Sequence, residues 1–364
     1  MQIIIGMSGA SSLSHDVCLG GGLKGITRLV GHVFLRPAFM AALYITVAGL
    51  SFSAFADDSK TEWASLLIVD VKEFPWDQHP RFGSMSKTFF RGPDTGSFVY
   101  AHWAPSWDTG LHPDPLGSHY HHWSEWAYML DGDFLIQEPV NPYQQNGVRN
   151  RFTEGTWLDR PAYSLHGGSW ATGGARAQNS GTLIIYEEGD GSVVTVGPKG
   201  DHFKPDFPDK PVPYDPNWQV VEQFTRPWIV DTVAGLEWET DTEVAERLVK
   251  WLSDDQKAGF RAQLIKIPPG WTAPQGAPKT YFQKVNRMRF VVYGDMRVWS
   301  FDDPESAGKM TKVSKDFFIY QPAGSIWGYG KGPVSEHGAV WLEVTYARGV
   351  AHGGGKIEEA TEIP

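Results

Sequence analysis

The chain has 364 residues, of which 41% are hydrophobic and 20% are charged, and its formal net charge is −10 at pH 7. These values are typical of a globular protein with a substantial core, and the acidic balance argues against nucleic acid or an anionic membrane surface as a partner. The single cysteine, Cys18, lies near the amino terminus, so a mature chain that begins later has no disulfide and no cysteine metal ligand.

The amino-terminal segment, residues 1–56, has the features of a secretory signal. Arg28 and Arg36 precede an uncharged apolar run at 37–55, and an Ala-Phe-Ala sequence ending at Ala56 stands before acidic residues. This pattern predicts cleavage after Ala56, a periplasmic or secreted mature protein, and no membrane association once the signal is removed. A retained membrane anchor is the alternative, because the run approaches the length of one helical span.

Short strand-like segments alternate with Gly, Pro and Asp turns through the following part of the chain. The clearest of these segments lie at 64–71, 97–103, 126–130, 182–186 and 192–196. Their spacing predicts an all-β barrel or sandwich. The turn Asp131-Gly132-Asp133 predicts a hairpin in which the strand after the turn pairs with the strand before it.

A proline-rich stretch at 198–220 predicts an extended linker. Beyond it, Thr240 and Glu243 form a capping-box pattern that is followed by apolar residues at helical spacing up to Leu252, so a short helical segment is predicted here. The chain then returns to strand patterns, at 263–267, 289–293, 297–299, 317–320 and 340–344.

The second half of the chain repeats landmarks of the first half. Gly132 and Gly294 are 162 residues apart (294 − 132), and so are Trp76 and Trp238 (238 − 76). A shared offset between different residue types indicates two copies of one β-domain. The predicted segments are two domains and a carboxyl-terminal tail, at 57–197, 221–350 and 351–364.

The stretch that begins at His119 concentrates the best metal ligands of the chain. His119 and His121 stand two residues apart, so both imidazoles project to one face of an extended strand and can share a metal ion. Glu125 has the same parity, but four extended residues carry it roughly 13 Å beyond His121 at ~3.3 Å per residue. The chain must therefore bend between His121 and Glu125 if both are to reach one ion.

Two motifs in the first copy resemble those of the cupin superfamily. The first motif, Gly-x5-His-x-His-x3-Glu-x6-Gly, is matched by His119, His121, Glu125 and Gly132. The second motif, Gly-x5-Pro-x-Gly-x2-His-x3-Asn, is matched by Gly155, Pro161 and His166. The chain departs from the two patterns outside the ligand set, at Pro113, Tyr163 and Trp170. Since Tyr163 stands in place of glycine, the turn before His166 is expected to be shaped differently.

The resemblance implies a double-stranded β-helix, or jelly roll, with one divalent transition metal inside the barrel. His119, His121, Glu125 and His166 are the implied ligands, and Glu125 is also the candidate catalytic residue that moves a proton. Three imidazoles and a carboxylate suit iron, which we expect first, and also Mn, Ni, Cu or Zn. Such a ligand set leaves positions open for water, substrate or dioxygen.

The second copy carries different residues at the positions of the ligands. The 162-residue offset and the second motif place four residues there, which are Tyr281, Gln283, Arg287 and Trp327. A guanidinium that is always protonated repels a cation, so the second site is expected to hold no metal. The chain therefore resembles a bicupin with one metal per chain and a degenerate second site.

Five residues near the predicted metal are candidates for substrate binding, namely Trp103, Trp123, Trp157, Arg160 and Tyr163. The aromatic residues would form an apolar pocket that stacks a planar substrate, and each of them is alternatively a core residue of the barrel. Arg160 would bind a substrate carboxylate through two hydrogen bonds, or lies solvated at the surface.

These features indicate a metal-dependent bicupin enzyme, a dioxygenase that acts on a small aromatic or carbonyl compound. One alternative is a redox-neutral lyase, decarboxylase or isomerase, and another is a non-catalytic metal-containing binding or sensor cupin. The segments 71–76 and 264–270 also resemble, more weakly, the cupin branch of ChrR-type sensors and small diketone-cleaving dioxygenases. A small molecule is the expected partner, and a homodimer is left open.

Overall fold

A computed structural model describes the following residues: 63–78, 83–92, 96–109, 118–138, 148–167, 175–187, 193–196, 224–255, 259–274, 280–346 and 361–362. The predicted signal at 1–56 and the predicted linker at 198–220 lie outside these residues. Cleavage after Ala56 and the domain limits at the linker therefore stay predictions.

The regular elements of the described residues are strands, apart from one 3₁₀ turn at Val71–Glu73. The first half of the chain contributes β1 (Leu67–Asp70), β2 (Asp77–Gln78), β3 (Met85–Gly92), β4 (Gly96–Trp103), β5 (His119–Tyr120), β6 (Glu125–Asp131), β7 (Asp133–Glu138), β8 (Val148–Thr153), β9 (Thr156–Arg160), β10 (Gly181–Glu187) and β11 (Val194–Thr195). The predicted all-β class is confirmed.

The second half of the chain contributes a similar number of strands. They are β12 (Trp228–Asp231), β13 (Glu239–Thr240), β14 (Leu248–Asp255), β15 (Phe260–Ile267), β16 (Thr280–Phe282), β17 (Asn286–Phe301), β18 (Lys309–Ser314), β19 (Phe317–Gln321), β20 (Ile326–Gly328), β21 (Ala339–Tyr346) and β22 (Thr361–Glu362). Across the described residues, no helix has the length and apolar character needed to cross a membrane.

The strands form two barrels, which we call the first and the second barrel. The first barrel has a seven-stranded sheet in the order β12-β9-β6-β10-β4-β3-β2 and two strand pairs, β5–β11 and β7–β8. The second barrel is an eleven-stranded sheet that runs from β13 to β22 and includes β1. Each barrel encloses apolar side chains of its own.

The two barrels exchange one strand each. Strand β1, from the first half of the chain, pairs antiparallel with β19 of the second barrel. Strand β12, from the second half, pairs antiparallel with β9 of the first barrel. The predicted domains at 57–197 and 221–350 assign each of these strands to the half in which it occurs, whereas the strand pairing assigns it to the opposite sheet.

A third apolar cluster lies between the barrels and buries the outer faces of their sheets. In β4, Phe98 belongs to this cluster, while Ala101 belongs to the core inside the first barrel. In β21, Val344 belongs to the cluster between the barrels and Trp341 to the core of the second. Many strands are therefore buried on both faces, since successive side chains point to opposite sides of a sheet.

The predicted helical segment is wrong, because Leu248, Val249 and Leu252 lie on strand β14 and Val244 lies in the turn before it. Leu248 to Asp255 pair antiparallel with β15, and the turn before them is closed by Asp241, whose carboxylate accepts from the backbone N–H groups of Glu243 and Val244. Val249 lies in the core of the second barrel, whereas Leu252 lies between the barrels. Apolar residues on both faces of a strand imitate helical spacing.

The predicted hairpin at Gly132 is also wrong. Strand β7 pairs with β8, while β6 pairs with β9 and β10, so the turn joins strands of different sheets. Gly132 has a positive φ of 75°, and a Cβ atom there would lie 1.9 Å from the carbonyl oxygen of Ser180. Only glycine fits at this corner of the barrel.

Candidate metal centre

His119 and His166 face each other directly across two neighbouring segments of the first barrel. Their backbones exchange both hydrogen bonds, each N–H donating to the other carbonyl oxygen at 2.9 Å. Directly paired residues project to the same face of a sheet, and the two ring centroids accordingly lie 4.4 Å apart. The second motif thus delivers its histidine beside the first histidine of the first motif.

The chain leaves strand geometry between Tyr120 and Glu125, as the ligand spacing predicts. At this bend, the carbonyl oxygen of His121 accepts from the N–H of Tyr163, which ties the first motif to the second. Glu125 then begins β6, and its Oε2 atom lies 3.5 Å from Nε2 of His121 and 3.8 Å from Nε2 of His166. The bend therefore brings the carboxylate back to the imidazoles.

The three histidines can hold a metal ion. One ring nitrogen from each of His119, His121 and His166 lies within 4.8 Å of the others, and within the described part of the chain no other set of three or more His, Cys, Asp or Glu side chains does this. All three side chains are buried. Nδ1 of His166 lies 2.8 Å from the carbonyl oxygen of Ser164, which fixes the ring and leaves Nε2 directed toward the set.

Electrostatics keep the candidate ligands in the forms that bind metals. Burial, followed by the neighbouring Arg160 and His119, lowers the pKa of His166 well below its ordinary value, so its imidazole is neutral. Burial raises the pKa of Glu125, but the neighbouring guanidinium of Arg160 outweighs burial and holds the pKa well below its ordinary value. Glu125 is therefore an ionised carboxylate.

Arg160 links Glu125 to a second buried carboxylate, Glu138. Its Nη1 donates to Oε1 of Glu125, while its Nε and Nη2 donate to Oε1 of Glu138 at 2.9 and 2.7 Å. The other oxygen of Glu138 accepts from the amide of Asn150 at 3.0 Å. The two carboxylates outnumber the one guanidinium, and the resulting negative charge beside the imidazoles favours a cation.

The metal set opens into a largely apolar cavity of about 400 Å³. Side chains from six strands line this cavity with aromatic and aliphatic groups, including Trp103, Met129, Phe134, Phe152, Leu158 and Leu183. The indole of Trp103 is held by a 3.0 Å hydrogen bond from Nε1 to the carbonyl oxygen of Asp133. The cavity has the size and polarity of a site for a small organic molecule.

The structure places only two of the five predicted substrate-binding residues on the cavity wall. Trp103 and Arg160 line the cavity, whereas Trp123, Trp157 and Tyr163 do not. The predicted role of Arg160 as a substrate anchor is corrected, because its Nε, Nη1 and Nη2 already donate to two carboxylates. Sequence analysis missed Glu138, its principal partner.

Trp157 is corrected as a substrate residue because it points away from the cavity. It stands three positions before Arg160 on β9, so their side chains lie on opposite faces of the strand. Its indole is fully buried between the barrels, stacks on Trp126 at 5.2 Å and donates to Oγ of Ser253 at 3.1 Å. The alternation of side chains along β9 is the sequence signal that could have placed Arg160 at the cavity and Trp157 between the barrels.

Trp123 and Tyr163 lie beside the metal set rather than on the cavity wall. The ring of Trp123 lies 5.5 Å from that of His121. Tyr163 is 37% exposed, and its ring contacts those of Tyr120 and His122. Its backbone has a positive φ of 66°, so the turn keeps the conformation that glycine would adopt, contrary to the expectation of a different shape.

The strand pairing of the second barrel confirms the alignment of the two copies. Tyr281 pairs directly with Trp327, as His119 pairs with His166. The N–H of Gln283 also donates to a carbonyl of the neighbouring segment, at 2.9 Å. Tyr281 and Trp327 stack at 4.7 Å, and the guanidinium of Arg287 lies 5.4 Å from the Trp327 ring. That this site holds no metal stays a prediction.

Comparisons with known proteins identify a shared fold. No protein-family model matches the sequence, and no curated protein does. A candidate dioxygenase from Nostoc punctiforme matches 82% of this chain and 87% of its own, with a TM-score of 0.53 and 12% identity. Two oxalate decarboxylases also match. That of Bacillus subtilis matches 80% of this chain and 79% of its own, with a TM-score of 0.48 and 13% identity. That of Lactobacillus farciminis matches 78% of this chain and 86% of its own, with a TM-score of 0.47 and 14% identity.

The likeness to the Nostoc protein extends over most of both chains, and at 12% identity it shows the fold alone. The predicted cupin fold is confirmed, whereas the weaker resemblance to the ChrR-type branch stays a prediction. The chain has a cupin fold of two tandem jelly-roll barrels, the first of which presents three buried histidines suited to a metal ion.

Proposed function

We propose that this protein is a metal-dependent dioxygenase that acts on a small aromatic or carbonyl compound. The observation that carries the proposal is the position of three imidazoles, with ligand atoms within 4.8 Å of one another, on the wall of a largely apolar cavity. His119, His121 and His166 hold the metal, with Glu125 as the fourth ligand. A metal held here supplies Lewis-acid polarisation of a substrate oxygen and, when redox-active, activation of dioxygen.

The side chains around the metal set bind the substrate and control protons. Trp103, Phe134 and Leu158 give the cavity apolar walls that exclude water and favour a planar organic substrate. Arg160 holds Glu125 in place through Oε1, so that Oε2 stays directed at the imidazoles. A carboxylate fixed in this way can also accept and return a proton of the substrate.

The test is an oxygen-uptake screen of the metal-loaded protein with phenolics and β-diketones. These compounds are chosen because the sequence resembles, weakly, the cupin branch that includes diketone-cleaving dioxygenases. We expect dioxygen consumption in proportion to substrate loss. Elemental analysis should find about one transition metal per chain, and His166→Ala should lose most of it, while His337→Ala, an exposed histidine paired with Asp295, should keep it. Stoichiometric metal in His166→Ala would refute the ligand assignment.

A redox-neutral lyase or decarboxylase is the second candidate, and the position of Glu125 favours it. A buried, ionised carboxylate beside the metal set is the kind of proton acceptor that such a reaction needs. Substrate turnover under strict anaerobiosis, without dioxygen uptake, would establish this candidate and reject the dioxygenase. A protein that turns over no compound with or without dioxygen would instead be a binding or sensor cupin.

We also propose that the mature protein is periplasmic or secreted, on the basis of the signal-like sequence that ends at Ala56. Mass spectrometry of protein purified from its native cells should find Asp57 at the amino terminus. A mature chain that retains residues of the 37–55 run would instead indicate a membrane anchor.

A further inference from the structure

The second barrel encloses a cavity of about 380 Å³ whose lining differs in chemistry from that of the first. In the first barrel, strand pairing places Val99, Ile185 and Ala127 in one row across the sheet. In the second barrel the corresponding row consists of polar groups, Gln263, Glu343 and Arg289, of which the first two line the cavity. An apolar row has thus been replaced by a charged one.

Glu343 has its acceptor positions occupied by three donors. Its Oε1 accepts from Nε2 of Gln263 at 3.1 Å, and its Oε2 accepts from Nε of Arg289 at 2.8 Å and from Nε1 of Trp341 at 3.3 Å. Arg289 and Glu343 therefore balance each other in charge. The next guanidinium, which does line the cavity, has only the same Glu343 to pair with.

That next guanidinium belongs to Arg287, which stands at the position of Glu125 in the first copy. Its Nε lies 3.8 Å from Oε1 of Glu343, too far for a hydrogen bond, and this buried nitrogen has no hydrogen-bond partner among the described residues. The other two arginines that line the cavity are each paired with a carboxylate, Arg247 with Asp241 at 2.5 Å and Arg261 with Asp254 at 3.2 Å. Arg287 and Arg289 therefore share the single negative charge of Glu343, which leaves one positive charge in excess beside the cavity.

A second donor beside Arg287 also has no partner. Nε1 of Trp327, at the position of His166 in the first copy, is buried and makes no hydrogen bond to the described residues. Both Arg287 and Trp327 line the cavity. Buried donors without acceptors cost free energy, which a bound acceptor would recover.

The electrostatics of Arg287 favour a negatively charged ligand beside it. Burial lowers the pKa of Arg287, and the neighbouring Arg289 and Arg247 lower it further, while Glu343 opposes them only in part. A negatively charged group next to Arg287 would reverse this destabilisation. A guanidinium fork binds a carboxylate through two parallel hydrogen bonds.

The walls and mouth of the cavity restrict the kind of anion. Trp251, Tyr281 and Tyr329 supply aromatic surface, which favours an organic body over a bare inorganic ion. The mouth carries exposed carboxylates at Glu239 and Glu243. These repel highly charged anions such as phosphates, so a single negative charge fits best.

We propose that the second barrel binds a small aromatic monocarboxylate, held by the guanidinium of Arg287 and the indole N–H of Trp327. The site is separate from the candidate metal centre and does not depend on the reaction proposed for it. The second barrel is then a ligand-binding domain. Its ligand is similar in size to a compound that fits the cavity of the first barrel.

Isothermal titration of benzoate, phenylacetate and cyclohexanecarboxylate into the full-length, metal-loaded protein tests the proposal. We expect at least one of them to bind at one site per chain. Arg287→Gln should weaken this binding at least tenfold, and Trp327→Phe, which keeps the ring and removes the donor, should weaken it several-fold. Arg176→Gln, which removes an arginine paired with Asp108 in the first barrel, is the matched control and should bind as the wild type does.

His166→Ala distinguishes the two barrels, because carboxylates also bind metals. Binding that persists in His166→Ala places the ligand outside the metal centre and supports the proposal, whatever the fate of the enzyme activity. Loss of binding in His166→Ala, or unchanged binding in Arg287→Gln, would overturn it. So would the absence of binding by all three carboxylates, or tighter binding of inorganic phosphate. If Arg287→Gln fails to fold, Trp327→Phe decides by the same criteria.

Discussion

Arg160 is the residue on which the buried charges of the first barrel depend. It is buried and lies between the carboxylates of Glu125 and Glu138, both of which are also buried. Removal of one partner from such a set leaves carboxylates in a poorly solvating environment without a counter-charge. The metal set would also lose the group that orients Glu125.

Arg160→Met should therefore lower the free energy of unfolding by about 3–5 kcal/mol. Arg151→Met is the matched control, because Arg151 pairs with Asp133 at 2.9 Å but is 58% exposed; it should cost less than about 1 kcal/mol. Urea denaturation of both variants measures the difference. Equal stabilities would mean that the buried set contributes no more than an ion pair whose arginine is exposed to solvent.

Tyr163 occupies a backbone conformation that disfavours any side chain. Its φ of 66° matches the left-handed conformation of Gly324, whose φ is 89° at the equivalent position of the second copy. Tyr163→Gly should be more stable than Tyr163→Ala by about 1 kcal/mol, because only glycine adopts this conformation without strain. Chemical denaturation compares the pair. At the neighbouring Ala162 the order should reverse, with glycine the less stable, and an unreversed order would contradict the strain.

Glu343 makes the second barrel sensitive to acid. Burial raises its pKa, but Arg287 and Arg289 lower it from 4.5 to about 2. A carboxyl group whose pKa is lowered in the folded state stabilises the protein fully above pH 4.5, and this contribution is lost as the pH falls toward 2. Below that range the folded and unfolded forms bind the same proton.

Glu343→Gln should accordingly be destabilised by about 3 kcal/mol at neutral pH, and the difference from the wild type should shrink as the pH falls below 4.5. Denaturation curves measured between neutral and acid pH check this trend. Glu336→Gln is the control, because Glu336 pairs with Arg297 while 43% exposed and should show a small, nearly constant effect. A difference for Glu343→Gln that does not change with pH would contradict the assignment.

At the scale of single elements, a buried lysine recurs beside each exchanged strand. Nζ of Lys87 donates to the carbonyl oxygens of Val71 and Lys72 and lies 4.6 Å from the centroid of the Trp76 ring. Nζ of Lys250 donates to the carbonyl oxygen of Thr232 and lies 4.9 Å from the centroid of the Trp238 ring. The two lysines therefore fasten equivalent chain segments just after β1 and β12.

The strand exchange predicts that the two halves of the chain cannot be separated under native conditions. If a protease site is inserted into the stretch 198–220 and cleaved, the two fragments should still elute together in size-exclusion chromatography. The reason is that β1 and β12 each lie in the sheet of the other half and that a buried apolar cluster joins the barrels. Fragments that elute separately without denaturant would contradict the exchange.

At the scale of the whole molecule, the sequence predicts correctly those positions at which the structure accepts only one kind of residue. Gly132 and Gly294 both have positive φ, 75° and 80°, and a Cβ atom on either would lie 1.9 Å from a backbone oxygen. Such corners tolerate only glycine, so the repeat remains visible in the sequence. The spacing of His119, His121 and His166 is constrained in a similar way by direct strand pairing.

Other features of the molecule, such as ion-pair partners and strand pairing, cannot be predicted from local sequence patterns. Glu138 and Arg160 belong to strands that do not adjoin in sequence, and no spacing rule links them. Leu252 and Val249 are apolar on opposite faces of β14, so their spacing indicates a helix where a doubly buried strand exists. The pairing of β1 with β19 joins residues that lie far apart in the sequence. The alternation of side chains along a strand shows which residues share a face, but it does not show which other strand pairs with it.

The exchange of β1 also sets the order in which the molecule can be completed. Leu67 pairs with Tyr320, which lies 253 residues further along the chain (320 − 67). During synthesis β1 therefore emerges long before β19, and its edge stays unpaired with β19 until the intervening chain has been made. Contacts of such long sequence separation form slowly, and completion of the second sheet is therefore a late step in folding.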